Sequence, residues 1–354
     1  MRKLGNGWVG LAVLAAVLTV PTAASAAPAN PCDNNLGLGK AATAPAYVFL
    51  GVRGSGEPSI DADGRMGTRV LKAYRGFADD PHYQGKIACT GSLHRYKAMP
   101  VPTFGAGFDQ WNEYLREVTT NYQILQTQLR RLTGKYPDTK FIVSGYSQGA
   151  AVAHMAVSEL VRTTPALKTR FEGLALIADP LADDTDYRQP TTSDGWNGPA
   201  RSGTLTIANR MADGTVGGAA WYTALTALGK IHRVLPDQLC DAVTTCEKLQ
   251  QQSRLTEKYQ DTLTGMRTVV TASPIGRTST GRQLTALGIP TASICYVGDV
   301  VCSPIGTWKS GVVLRQKFRY WPDWTTWGRT DVHKDYYTRY SGWEAPAAAF
   351  VAAH

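Results

Sequence analysis

The chain has 354 residues, of which 43% are hydrophobic, 18% charged and 9% aromatic. These are the proportions of an ordinary globular protein, and they exclude a disordered, collagen-like or coiled-coil chain. Its 35 glycines and 19 prolines suit many tight turns around a large core, in one large or two smaller domains, and a formal charge of +9 is compatible with anionic partners without choosing among them.

Residues 1–26 come first. A basic start, MRKLGNG, leads into the 13-residue apolar run WVGLAVLAAVLTV, which is short for a bilayer span, and Ala24-Ser25-Ala26 supplies small residues for cleavage. The expectation is a signal peptide and a secreted chain of 328 residues beginning at Ala27, with a net charge of +7.

Tyr47–Val52 (YVFLGV) is a β-prone apolar run that ends in the glycine cluster RGSGE, and it reads as a buried strand entering a loop. From residue 108 to 132, Trp111, Tyr114, Leu115, Val118, Ile124, Leu125 and Leu129 recur at helical spacing, and Gly134 with Pro137 is expected to stop the helix. A strand at 140–144, a small-residue helix from 148 to about 162 and a strand at 173–178 follow. Strand, helix, strand, helix, strand is the pattern of an α/β fold with a mostly parallel sheet flanked by helices. Residues 181–288 break that rhythm with turn-rich sequence and then helical spacings such as Trp221, Ala224, Leu225 and Leu228, so they read as a mainly helical insertion or lid. A strand at 292–297 resumes the sheet.

Six cysteines, all beyond residue 26, fit disulfides in an exported protein. Fifteen pairings are open; the sequence-close pairs Cys295–Cys302 and Cys240–Cys246 would clip short loops and leave Cys32 for Cys89. Zinc spacing is absent. The calcium-like string at Asp61 and Asp63 has Val70 where a bidentate acid belongs, so it reads as a surface turn and no metal is expected.

The most informative string is Gly145-Tyr146-Ser147-Gln148-Gly149, a G-x-S-x-G between a strand and a helix. The sharp turn leaves no room for side chains beside the serine and projects its hydroxyl from the sheet, while the helix start aims backbone N–H groups at the same place. A serine hydroxyl needs a base and a group to orient it, in the order Ser, acid, His on this kind of fold. Asp299, in CYVGDVVC, and His333, in DVHKDYY, supply them; Asp179, also just past a strand, is the reserve acid. Chain order disfavours His82, His94, His154 and His232, and His354 is terminal.

Together these motifs resemble the cutinases, and more closely the cutinase-like serine esterases of actinobacteria, which have the α/β-hydrolase fold. GYSQGA around Ser147, C-x3-D-x2-C around Asp299 and RGSGE after the first strand carry the resemblance, over about residues 45–180 and 290–350. It implies a catalytic set of Ser147, Asp299 and His333, and an oxyanion hole of the Gln148 and Ser55 N–H groups with the Ser55 hydroxyl as a further donor. Tyr136 stands in the region where cutinases usually carry a cysteine, and the acid lies 152 residues after the nucleophile, with the histidine 34 further on. The extra residues, including Trp321, Trp324 and Trp327, would sit over the active site.

The leading expectation is a monomeric, secreted serine carboxylesterase acting on a small-molecule, lipid or polyester ester, with a cell-envelope surface as a partner and no cofactor. Acyl transfer onto an envelope alcohol and a non-catalytic lipid- or wall-binding protein are the alternatives. Nucleic acid is not expected, because the basic residues are scattered.

Overall fold

The computed structural model describes residues 32, 44–57, 65–92, 98–99, 108–182, 284, 287–295, 299, 301–302, 333 and 342–354. The expected signal peptide, nearly all of the 181–288 insertion, the Cys240–Cys246 pair, the Asp61 turn and the Trp321–Trp327 cluster lie outside them.

The described chain runs β1 (Tyr47–Val52), α1 (Thr68–Asp79), β2 (Ile87–Gly91), α2 (Phe108–Lys135), β3 (Lys140–Tyr146), α3 (Gln148–Thr163), a 3-10 turn (Pro165–Arg170), β4 (Phe171–Ile177), β5 (Thr291–Ile294) and α4 (Glu344–Ala352). The strands form one sheet in the order β2-β1-β3-β4-β5, with every neighbouring pair parallel. β1, β3 and β4 are buried along nearly their whole length, which is why they read as continuous apolar runs rather than alternating ones.

The right-handed crossover rule applied to this strand order puts α1 on one face of the sheet and α2 and α3 on the other, in keeping with the packing of α2 on α3. α1 packs against α4, where the Lys72 ammonium lies 2.6 Å from the Glu344 carboxylate, and α2 packs against α3. In α2 Tyr114, Leu115, Val118, Leu125 and Leu129 of the expected stripe are buried and Ile124 is half-buried, while the Trp111 side chain lies outside the described residues. The helix runs past the expected stop, through Gly134 to Lys135, because Tyr136 N–H still finds the Leu132 carbonyl at 2.9 Å. α3 buries 13 of its 16 residues, and its many alanines let it lie close to the sheet.

From β1 the chain leaves toward β2 on one side, and from β3 toward β4 on the other. The crevice at the carboxyl ends of β1 and β3 is therefore the switch point of the sheet, where open α/β sheets bind their ligands. Two disulfides brace the frame: Cys32–Cys89 ties a residue ahead of β1 to β2, and Cys295–Cys302 closes the loop after β5.

Candidate active site

Ser147 sits between β3 and α3 with φ 56° and ψ −122°, a left-handed backbone that a non-glycine residue adopts only when its surroundings compel it. Its own N–H bonds the Ile177 carbonyl of β4 at 2.9 Å, and its carbonyl accepts from Ala150 and Ala151, so strand and helix both hold the strained residue. Two glycines make the turn feasible. A Cβ on Gly145 would lie 2.2 Å from the Gly149 carbonyl oxygen, and one on Gly149 would lie 2.2 Å from the Val52 oxygen at the end of β1.

The His333 Nε2 lies 2.9 Å from Ser147 Oγ, and its Nδ1 lies 3.0 and 3.1 Å from the two carboxylate oxygens of Asp299. A carboxylate only accepts, so Nδ1 carries the hydrogen and Nε2 presents its lone pair to the serine hydroxyl. Asp299 is fully buried and also accepts the Val301 N–H at 2.7 Å, within the loop closed by Cys295–Cys302. The three residues selected from chain order thus meet across separations of 186 and 34 residues.

Asp179, the reserve acid, is engaged elsewhere. Its Oδ2 accepts from His154 Nδ1 at 2.8 Å and its Oδ1 accepts the Leu181 N–H, with both side chains fully buried.

Gln148 is the first residue of α3, so its N–H belongs to the helix start beside Ser147. Ser55 lies in the loop after β1 and its hydroxyl donates to the Met99 carbonyl, which occupies the hydrogen that the resemblance assigned to an oxyanion. Met99 N–H in turn donates to the Gln148 side-chain oxygen at 2.6 Å. One backbone unit therefore ties the two residues of the expected oxyanion hole together. Nothing in the sequence around Met99 signals this, because the contact uses only its main chain.

Glu57, the last residue of RGSGE, is buried. Its carboxylate accepts from Gly54 N–H at 2.8 Å, from Arg69 N–H at 3.2 Å and from the Arg69 guanidinium at 3.1 Å. It clamps the loop after β1 onto the start of α1.

Residues 44–206 match the family model Cutinase. This part of the chain is similar to the cutinases. The family comprises carboxylic ester hydrolases of the serine type, and the parallel sheet with helices on both faces is its α/β-hydrolase fold. The cutinase match contains Ser55, Ser147 and Gln148; Asp299 and His333 lie beyond it.

Among solved structures, the chain is similar to the catalytic core domain of acetyl xylan esterase from Trichoderma reesei, with 16% identity, a TM-score of 0.30, and 40% of this chain and 66% of that one covered. It is also similar to Trichoderma reesei cutinase in complex with a phosphonate inhibitor (16%, 0.29, 43% and 54%) and to a cutinase-like protein from Cryptococcus sp. (16%, 0.32, 80% and 91%). The matches to the esterase core and the Trichoderma cutinase span less than two thirds of those chains. The search of curated proteins found no match. Among the described residues, no helix is long and apolar enough to cross a membrane.

Proposed function

We propose that this protein is a secreted serine carboxylesterase that hydrolyses acyl esters of lipid or polyester type through a Ser147–His333–Asp299 acyl-enzyme mechanism. The observation that carries the reading is the unbroken chain from Ser147 Oγ through the imidazole to a buried carboxylate, with each step between 2.9 and 3.1 Å.

In this mechanism His333 Nε2 takes the Ser147 proton as Oγ attacks the ester carbonyl, and Asp299 stabilises the imidazolium that forms. The Gln148 and Ser55 N–H groups receive the oxyanion, and the loop geometry held by Met99 and Glu57 keeps them in place before substrate arrives. The imidazolium gives its proton to the departing alcohol. Water then attacks the acyl-enzyme with His333 again as base, releasing the acid. Export is supported by the leader-like residues 1–26 and by disulfides, which persist in oxidising compartments. The test is labelling with a fluorophosphonate probe followed by peptide mapping. Attachment at Ser147, together with nitrophenyl-ester turnover that Ser147→Ala abolishes, is the expected result; a folded protein that the probe leaves unlabelled overturns the proposal.

A further inference from the structure

The residue between Gly145 and Ser147 has a side chain that the mechanism above does not use. Tyr146 is almost fully buried, and its ring stacks on the His333 imidazole with centroids 5.1 Å apart and planes 21° apart. Its hydroxyl donates to the His333 main-chain carbonyl. The same ring lies against the loop after β1, where a Cβ on Gly54 would come within 2.2 Å of Tyr146 Cδ1. The Arg69 guanidinium stands 5.0 Å from the ring centroid and is itself held by Glu57, which also holds the Gly54 N–H. Burial pushes the Tyr146 phenol well above the usual tyrosine range, so it remains a donor across the working range of an esterase.

We infer that Tyr146 is a positioning residue for the base: its hydroxyl fixes the main chain of His333 and its ring fixes the imidazole plane, so that Nε2 meets Ser147 Oγ. The inference rests on the triad reading. Its physical basis is leverage. His333 is 186 residues from Ser147 in sequence, whereas Tyr146 is Ser147's immediate neighbour; a contact from Tyr146 to His333 therefore ties the base to the nucleophile by a single peptide unit. The stacked ring also faces the positive charge that the imidazole acquires in the transition state, an interaction gained only there.

Steady-state hydrolysis of a nitrophenyl ester by the full chain, comparing wild type, Tyr146→Phe, Tyr146→Leu and His333→Ala, tests it. Tyr146→Phe keeps the ring and loses the tether, so kcat should fall about fivefold, the equivalent of one hydrogen bond, with KM unchanged. Tyr146→Leu loses both, so kcat should fall about a hundredfold, the effect of a misplaced base, again with little change in KM. A purely structural role would lower the amount of active enzyme without this graded loss per folded site, which is counted by fluorophosphonate titration. Wild-type kcat in Tyr146→Phe, or equal losses in the two variants, overturns the inference, and Tyr146→Phe decides alone if Tyr146→Leu does not fold. Wild-type kcat in His333→Ala overturns the triad reading instead, which keeps the two failures distinct.

Discussion

His154 and Asp179 form a hydrogen-bonded pair with no solvent exposure on either side chain, Nδ1 to Oδ2 at 2.8 Å, joining α3 to the chain just after β4. The pair repeats the His–Asp contact of the candidate site, and the second oxygen of Asp179 accepts the Leu181 N–H. Its role is to lock the end of β4, where Ala178 has φ 52° and leads into the segment beyond. Asp179→Asn removes a charge-assisted bond between two fully buried side chains and should destabilise the protein by about 2 kcal/mol, while kcat per folded molecule stays near wild type. Urea unfolding alongside ester turnover checks this; a stable but inactive variant would return Asp179 to the list of catalytic acids.

Asp299→Asn should do the reverse. Asp299 Oδ1 already accepts the Val301 N–H, so the single amide oxygen of an asparagine would be claimed there and its NH2 would face His333 Nδ1. The imidazole then has to carry its hydrogen on Nε2, pointing at Ser147 Oγ, and cannot take the serine proton. The expected loss is about 10⁴ in kcat, the size seen when a triad aspartate is replaced in this way, with an unchanged unfolding midpoint. Near wild-type turnover would exclude Asp299 as the orienting acid.

The two described disulfides should separate stability from activity. Cys32–Cys89 closes a span of 57 residues and, by loop entropy, contributes about 4 kcal/mol; Cys295–Cys302 closes a span of 7 and contributes about 2 kcal/mol. Replacing the first pair with serines should therefore cost more stability and leave kcat alone. Replacing the second should cost less and lower kcat, because the shorter loop holds Asp299. Denaturant unfolding and turnover of the two double variants check the crossing of these orders.

What could be read in advance was what the chain encodes locally. The elbow at Ser147 is a strand, a turn and a helix start within ten residues, so pattern alone locates it; Asp299 was marked by the cysteines on either side. α1 is hard to locate from sequence although Val70, Leu71, Tyr74 and Phe77 bury one face of it, since its start at Gly67 has no capping side chain to announce it. α4 (EAPAAAFVA) is apolar nearly all round and has no amphipathic period to detect. The Met99 bridge and the Tyr146 stack were illegible for another reason: they join residues 44, 49 and 187 positions apart through main-chain groups or ring faces, which no spacing rule encodes.

Glycine substitutions test the packing around the elbow most directly. An added Cβ at Gly149 meets the Val52 oxygen at 2.2 Å and the Arg53 oxygen at 2.5 Å, and both are backbone atoms at the end of a buried central strand that cannot swing aside. Gly149→Ala must push α3 away from β1, separating the Gln148 N–H from the Ser55 loop. A loss of about 3 kcal/mol is expected, accompanied by lower kcat in whatever folds. Gly134, inside the last turns of α2, meets nothing within 4 Å and has no left-handed backbone requirement. Gly134→Ala should accordingly stabilise by about 0.5 kcal/mol through reduced chain entropy, with kcat unchanged. Urea midpoints of the two variants should move in opposite directions. If Gly149→Ala were tolerated like Gly134→Ala, the close contact between β1 and α3, and with it the shared anchoring of nucleophile and oxyanion loop, would be wrong.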